Sequence, residues 1–458
     1  MKRSLGLLDV ALYIIIAGSN LQWVATAAAS GPSSIAVWII GCLAMFVPLG
    51  VAVVYLTSIY PDEGGLYVWS KRVFGRFAGF MTGWTYWTTN LPYFPALLYF
   101  MVGNALFLIP NGSKYETNAP IFMAGSLLGL IFATVVNYYG LDIGKWLNNI
   151  GAASRWAVTC ILIVVGLYAV ARFGNATPIT VPSVVPGASV KDLIFWSTIA
   201  FAWVGPESVS LMAGEIKNPM RNIPLGFLIA APVIAIMYIA GTFSVFGVIA
   251  ADKVDSLYGV MQAIEATASR VGWQTLTPIA AALVTISCLA SVGAWLGSVA
   301  RIPYVAGLDR YLPPVFGRMH PKYHSPVASI LAQFITSAIV VVIGQSGTTV
   351  HGAYQVLVDM MVLVTMVPFL YMFSAAIFVR EAPAPGTFAI PGGKATVVIS
   401  AIVGLITTIA SMALAVIPNA DEPHKLAAAL KVVGLTAIVL VLGAVAYRFG
   451  DRKAADGV

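Results

Sequence analysis

The chain has 458 residues, 59% of them hydrophobic and 9% charged, where soluble domains carry roughly 25% charged residues. That balance excludes a soluble globular enzyme and a disordered chain, and it describes a polytopic membrane protein. The formal charge of +7 does not mark a nucleic-acid partner, because the basic residues are scattered between apolar blocks and report topology instead.

Blocks long enough to cross a ~30 Å hydrocarbon core lie at 6–30, 35–59, 77–109, 120–140, 146–171 and 191–215. Six more follow at 223–250, 273–300, 326–345, 353–379, 395–417 and 427–447. The expectation is an all-α fold of about twelve transmembrane helices.

The first block opens on Lys2-Arg3 and passes through Ala25-Thr26-Ala27, which imitates a signal peptide with its cleavage site. Cleavage there would leave an odd number of spans and reverse the charge bias, so the block is read as the first span. Its middle, YIIIAGSNLQW (13–23), sets Gly18, Ser19, Asn20 and Gln22 inside an otherwise apolar helix. Such residues serve either as a small-residue packing seam or as a break in the helix. Segment 62–76, with Gly64-Gly65, Lys71, Arg72 and Arg76, reads as an interfacial helix suited to a gate or to lipid headgroups.

Arg155 lies in the fifth block, about two and a half turns from its start, where a long side chain can snorkel to the interface. The sixth block breaks at Gly205-Pro206 and carries Glu207 at the break. A carboxylate near the bilayer centre costs ~2.5–3.5 kcal/mol, and Pro206 removes a backbone donor. Irregular backbone at that depth survives only where protein or a water-filled cavity satisfies it.

The breaks at 18–22 and at 203–207 stand five spans apart. Interrupted helices at matching positions of two five-span halves point to the midplane site of an inverted-repeat transporter. Unwinding around Gly18, Ser19, Asn20, Leu21 and Gln22 frees N–H groups at the start of an outer half-helix, which suit a carboxylate. Unwinding at Trp203, Val204 and Gly205 frees carbonyls that suit an ammonium group. A zwitterion with both groups on one carbon, an α-amino acid, matches the pair.

Asp359, in YQVLVDMMVLV of the tenth block, is a third intramembrane charge. With the N-terminus inside, 17 of the 25 Lys and Arg residues fall on inner segments, 7 on outer ones, and Arg155 within a span. Both termini are therefore expected in the cytoplasm. Cys42, Cys160 and Cys288 fall in expected spans and read as buried free thiols. The four histidines, His320, His324, His351 and His424, sit in loops or near span ends, and no zinc spacing, phosphate loop or Ser-His-Asp arrangement occurs. No enzyme, cofactor or metal is expected.

Three stretches resemble a known group: YPDEGGLYVWSKRVFGRFAGFMTGWTYW (60–87), FAWVGPESVSLMAGEIKNPMRNIP (201–224) and RIPYVAGLDRYLPPVFGRMHPKYHSP (301–326). By these the chain resembles the amino acid-polyamine-organocation superfamily. The resemblance implies a leucine-transporter-like fold with a five-plus-five inverted repeat and discontinuous first and sixth helices. Residues 1–172 would form the first repeat, 173–380 the inverted second, and 381–458 the last two helices with a cytoplasmic C-terminus.

The resemblance also implies roles for single residues. Glu207 falls where relatives carry an acid beside the substrate, Phe201 where an aromatic ring closes over it, Trp295 where a tryptophan lines the site, and Tyr86 on a third-helix aromatic of the pathway. Arg155 falls near a fifth-helix lysine that takes the place of sodium and holds the first and eighth helices. The family's Gly-Ser-Gly stretch is missing, and aligns either with Gly18-Ser19-Asn20 or with Asn20-Leu21-Gln22. The implied function is alternating-access transport of an amino acid across the cytoplasmic (inner) membrane, independent of sodium and coupled to protons through Glu207 or to exchange. The alternative substrate is a polyamine, since ESVSLMAGEIKNP also resembles plant polyamine carriers. A channel is the less favoured class, because the chain lacks a repeated filter-like loop.

Overall fold

The computed structural model describes residues 5–61, 64–139, 141–300, 302, 311–323, 325–418, 422 and 424–455, with the backbone alone at 141–146, 148 and 451–455. Lys2, Arg3, Arg301, Arg310 and His324 lie outside the described residues, as does most of the start of the third family-like stretch. The side chains of Lys145, Arg452 and Lys453 do too.

The first span is two helices, α1 (Leu7–Gly18) and α2 (Leu21–Ala28), bent by 43° at the break between them. The Gly6 N–H donates to Asp9 Oδ2 at 2.8 Å and fixes the start of α1. The second span joins α3 (Ser33–Gly41), a π-helical turn at Cys42–Phe46 and α4 (Val47–Ile59). A short helix α5 (Gly65–Phe74) follows, within the 62–76 segment expected to lie at the interface. The third span is α6 (Arg76–Thr88) continued by α7 (Asn90–Ala105).

Next come α8 (Ala119–Tyr139), α9 (Leu141–Phe173), the short α10 (Val181–Val184) and α11 (Val190–Ala202). A 3-10 segment, Pro206–Glu215, carries α11 onward to α12 (Pro219–Val248). The amphipathic α13 (Gly259–Val271) lies between the seventh and eighth spans. Then follow α14 (Leu276–Val299), α15 (Val327–Gln345), α16 (Val350–Phe378), α17 (Gly393–Leu414) and α18 (Lys425–Ala455).

Ten of these stretches are long and apolar enough to cross a membrane, eleven when the bent first pair counts as one span. The remaining expected block, 191–215, is α11 plus the 3-10 segment, because the Gly205-Pro206 turn divides it and leaves only thirteen α-helical residues. No strand occurs among the described residues, and one isolated parallel bridge joins Leu5 to Ile216.

Burial sorts the spans into centre and rim. The most apolar window of α16 is 83% buried and that of the third span 78%, whereas α17 and α18 reach only 28%. The core thus sits where α6, α7 and α16 meet the broken spans, with α17 and α18 at the periphery. Close helix contacts rely on missing side chains: a Cβ at Gly151 of α9 would fall 2.1 Å from the Ala290 Cβ of α14. The expectation of three buried thiols holds only for Cys288. Cys42 is half-buried, and Cys160 points outward from α9, away from the core.

Candidate binding site between two broken helices

At the first break, Ser19 and Asn20 adopt extended backbone (φ −118°, ψ 111° and φ −131°, ψ 125°), and α2 starts without a side-chain cap. Its first N–H groups therefore lack the usual partner at a helix start. The Ser19 hydroxyl and both polar atoms of the Gln22 amide are buried, and none has a hydrogen-bond partner. Each such orphan costs ~1–3 kcal/mol. Three such atoms cluster at this one interruption.

The second break is the turn Trp203–Gly205. Gly205 has φ +125°, and a Cβ there would lie 2.4 Å from the Ala17 carbonyl oxygen, so both conformation and space demand glycine. Pro206 opens the 3-10 segment. Glu207 is 1% exposed. Its Oε2 accepts from the Gly205 N–H at 2.7 Å and its Oε1 from the Tyr86 hydroxyl at 3.2 Å. Neither bond comes from a cation. The Ser208 hydroxyl donates to the Gly205 carbonyl at 2.5 Å and accepts from the Tyr13 hydroxyl of α1 at 3.0 Å.

Two side chains lock the breaks to the scaffold. The Tyr238 hydroxyl of α12 accepts from the Asn20 N–H at 3.1 Å and stands 2.8 Å from the Gly18 carbonyl and 3.1 Å from the Ala202 carbonyl. With one proton to give, it serves the two breaks in alternation. Arg155 of α9 donates through Nη1 to the carbonyls of Ile16 (3.2 Å) and Ser19 (3.1 Å), and through Nη2 to the Ser291 hydroxyl of α14. It reaches the first break and does not snorkel. The N–H groups expected to be free at the first break are free in part only, since Tyr238 occupies that of Asn20.

Aromatic rings fill the space behind the second break. Trp203 is 1% exposed and meets Trp38, Phe46 and Tyr238 edge-on at centroid distances of 6.0, 5.4 and 5.6 Å. Trp38 stacks on Tyr238 at 4.1 Å. Phe201 is buried and meets Trp23 of α2 at 5.6 Å and 84°, and Val204 is half-buried with its N–H on the Phe201 carbonyl at 3.0 Å. The Trp295 indole N–H donates to Asn90 Oδ1 at 2.5 Å. Its polar contact thus ties α14 to α7 and leads to neither break.

Asp359 belongs elsewhere. Its one hydrogen bond comes from Gln355 Nε2 at 2.7 Å. At ~100° per residue it falls within about 40° of Phe373 on α16, and Phe373 lies against Gly404 of α17. Asp359 itself is about 120° around the helix from Thr365, which meets Thr89 at the α6–α7 junction.

The structure brings together Gly18, Ser19, Asn20, Gln22, Phe201, Trp203, Gly205, Glu207, Tyr86 and Arg155. Sequence reasoning missed Tyr13, Trp38, Tyr238 and Ser291. Tyr238 left one signal, a hydroxyl in the middle of the apolar run AIMYIAG, where an unpartnered polar tip is costly.

The profile of the amino acid permease family matches residues 5–442. The chain is 28% identical to an uncharacterised transporter of Legionella pneumophila over 431 residues, 93% of this chain and 92% of that protein. It is 24% identical to the probable agmatine/putrescine antiporter AguD of Lactococcus lactis, over 75% of this chain and 72% of the relative. It is 25% identical to the glutamate/serine transporter AimA of Bacillus subtilis, over 68% and 59% respectively.

Proposed function

The chain belongs to the amino acid permease family and is an integral membrane transporter, and we propose that it works by alternating access on an α-amino acid held between its two broken helices. The observation that carries this is the juncture of the breaks, where Gly205 abuts Ala17 and Tyr238 clips Gly18, Asn20 and Ala202 together. The substrate carboxylate would sit at the uncapped start of α2 and satisfy the Ser19 hydroxyl and the Gln22 amide. The ammonium group would meet carbonyls at the end of α11, with Phe201 and Trp203 as walls and Tyr86, Leu21 and Val204 beside them. In this reading residues 1–172 and 173–380 are the two inverted repeats, and both termini face the cytoplasm of a cell whose inner membrane holds the protein.

Arg155 supports a reading in which transport is independent of sodium. A guanidinium bonded to the Ile16 and Ser19 carbonyls and to Ser291 joins the helices that a sodium ion would otherwise join, and it repels Na⁺. Proton coupling would run through Glu207, a buried carboxylate without a cation, which an arriving ammonium group would neutralise. The same feature supports a second reading, a diamine substrate, in keeping with the relative named as an agmatine/putrescine antiporter.

Purified protein in proteoliposomes tests the set. A thermal-shift screen of amino acids and diamines should give one ligand class that raises the melting midpoint, since a ligand at 100 times its Kd adds ~2.7 kcal/mol. Uptake of that ligand should proceed without Na⁺ and show saturable counterflow. Glu207→Gln should remove proton-driven uptake while exchange persists. A requirement for an inward Na⁺ gradient would overturn the role of Arg155, and wild-type pH dependence in Glu207→Gln would overturn that of Glu207.

A further inference from the structure

We propose that residues 249–271, the loop after α12 together with α13, form a lid latched over one mouth of the bundle by a proton-sensitive clasp between His351 and Asp255. That the lid covers a substrate mouth rests on the alternating-access reading; the clasp itself rests on the geometry alone.

His351 Nε2 lies 2.7 Å from Asp255 Oδ2. The other carboxylate oxygen, Oδ1, accepts from the N–H groups of Leu257 (2.7 Å) and Tyr258 (3.3 Å), and the Asp255 N–H donates to Gln262 Oε1 at 3.0 Å. The acid is therefore a rigid part of the lid, while His351 belongs to the start of α16. Around the pair, the Tyr258 hydroxyl donates to Glu116 Oε2 at 3.0 Å and its ring meets His351 edge-on at 5.9 Å. Asn104 Nδ2 of α7 donates to the Leu257 carbonyl at 3.2 Å. Inward, α13 packs on α2, where Gly259 approaches the Ala25 methyl. One clasp thus joins the rigid α16 to a lid that rests on the outer half of the broken first span.

The pair is open to water, with the His351 side chain 39% and the Asp255 side chain 18% exposed. Burial pushes the Asp255 carboxyl up, but the His351 contact and the Leu257 and Tyr258 N–H groups outweigh it and hold it below the usual carboxylate range. Among the described residues, the charged groups facing the clasp from other elements are Glu116 through Tyr258, with Glu265 of α13 beside it, and Glu422, which binds Thr348 and stands beside Gly352; the one cation among them, Lys431 of α18, is held on the Gly344 and Ser346 carbonyls near Glu422. Asp252 and Lys253 flank it on the lid's own loop. Acidic neighbours favour the imidazolium.

The sign follows from both partners. The imidazolium's contribution to closure is complete below the ordinary histidine range, ~6.5, and is lost as pH rises above it. The carboxylate's is complete above the ordinary aspartate range, ~3.9, and is lost as pH falls below it. The lid is held most tightly between these limits and slackens toward alkaline pH.

Hydrogen–deuterium exchange on the full chain in nanodiscs reads the lid without any substrate. After correction for intrinsic exchange, amides of residues 250–262 should exchange several-fold more slowly at about pH 5.5 than at about pH 8, on either side of the histidine range. His351→Gln, which keeps a donor, should erase the difference, as should Asp255→Asn. His351→Arg should keep the lid protected at both values. No pH difference in the wild type, or an unchanged one in His351→Gln, overturns the clasp. Acid-tightened protection in a chain that moves no substrate would uphold the clasp and defeat the carrier reading instead.

Discussion

The two breaks solve the same problem in opposite ways. The second is self-contained: Glu207 closes on its own turn through the Gly205 N–H and is completed by Tyr86, while Ser208 bonds back to Gly205. The first is open: the Ser19 hydroxyl and the Gln22 amide have no partner, and outside help comes from Arg155 and Tyr238. A ligand bound between the breaks, as proposed, would find vacant polar groups at the first and groups already engaged at the second. Binding at the first would fill a deficit, whereas binding at the second would have to displace a bond already made.

Substitutions can break or sharpen that contrast. The largest effect is expected from Gly205→Ala, which forces a side chain into left-handed backbone, with strain of ~1–3 kcal/mol, and into the Ala17 carbonyl. Both breaks should separate, with uptake abolished and the folded yield on size-exclusion chromatography reduced. Wild-type behaviour would mean the breaks do not depend on this contact. Next comes Arg155→Met, which leaves the Ile16 and Ser19 carbonyls without their charged donor at ~1.5–3 kcal/mol. Uptake should fall about tenfold or more, with partial recovery in Arg155→Lys.

Gln22→Leu separates vacancy from structure. Removing an orphan amide should leave the melting midpoint of the empty protein unchanged or raised, while substrate affinity falls about tenfold, the measure of one lost hydrogen bond of ~1.4 kcal/mol. A drop in stability with unchanged affinity would show that the amide is structural. Tyr238→Phe deletes one hydroxyl shared between both breaks and should lower the melting midpoint by the equivalent of ~1–2 kcal/mol, with the stacking on Trp38 intact. The smallest effect belongs to Trp203→Phe. Its indole N–H is buried and unpartnered, so losing it offsets part of the lost packing, and stability measured by thermal melt should change by less than for Tyr238→Phe.

Much of this contrast was legible in the residues. Gly205-Pro206-Glu207 announces its turn because proline and a buried acid are both costly in a span, and Gly18-Ser19-Asn20 announces the first break by polarity. Hydropathy set the span boundaries to within a few residues but could not tell that 191–215 changes helix type after Pro206, since 3-10 and α segments share composition. The π-helical turn at Cys42–Phe46 left no trace, because CLAMF is as apolar as its neighbours. Arg155 was visible as a charge but not as a bridge: snorkelling and spanning differ only in which carbonyls stand within reach. Tyr238 was hidden because a tyrosine in an apolar run reads as packing until its hydrogen-bond partners, 36 residues and more away in sequence, are in place. Asp359 drew attention by charge alone, and its hydrogen bond runs to Gln355 one turn back on its own helix, a pairing that leads to neither break.

One contact carries an evolutionary consequence. At the N-terminal end of the first span, the Leu5 N–H donates to the Glu215 carbonyl at 3.1 Å and the Leu5 carbonyl accepts from the Lys217 N–H at 2.8 Å. The tether between the ends of the two interrupted spans is thus main chain on both sides. Selection acting on side chains cannot loosen it, and among single replacements proline at Leu5 or Lys217 is the one that deletes a donor outright. Residues 5 and 215–217 can therefore drift in identity while the connection they make persists, so sequence divergence at these positions carries little information about whether the two ends move together.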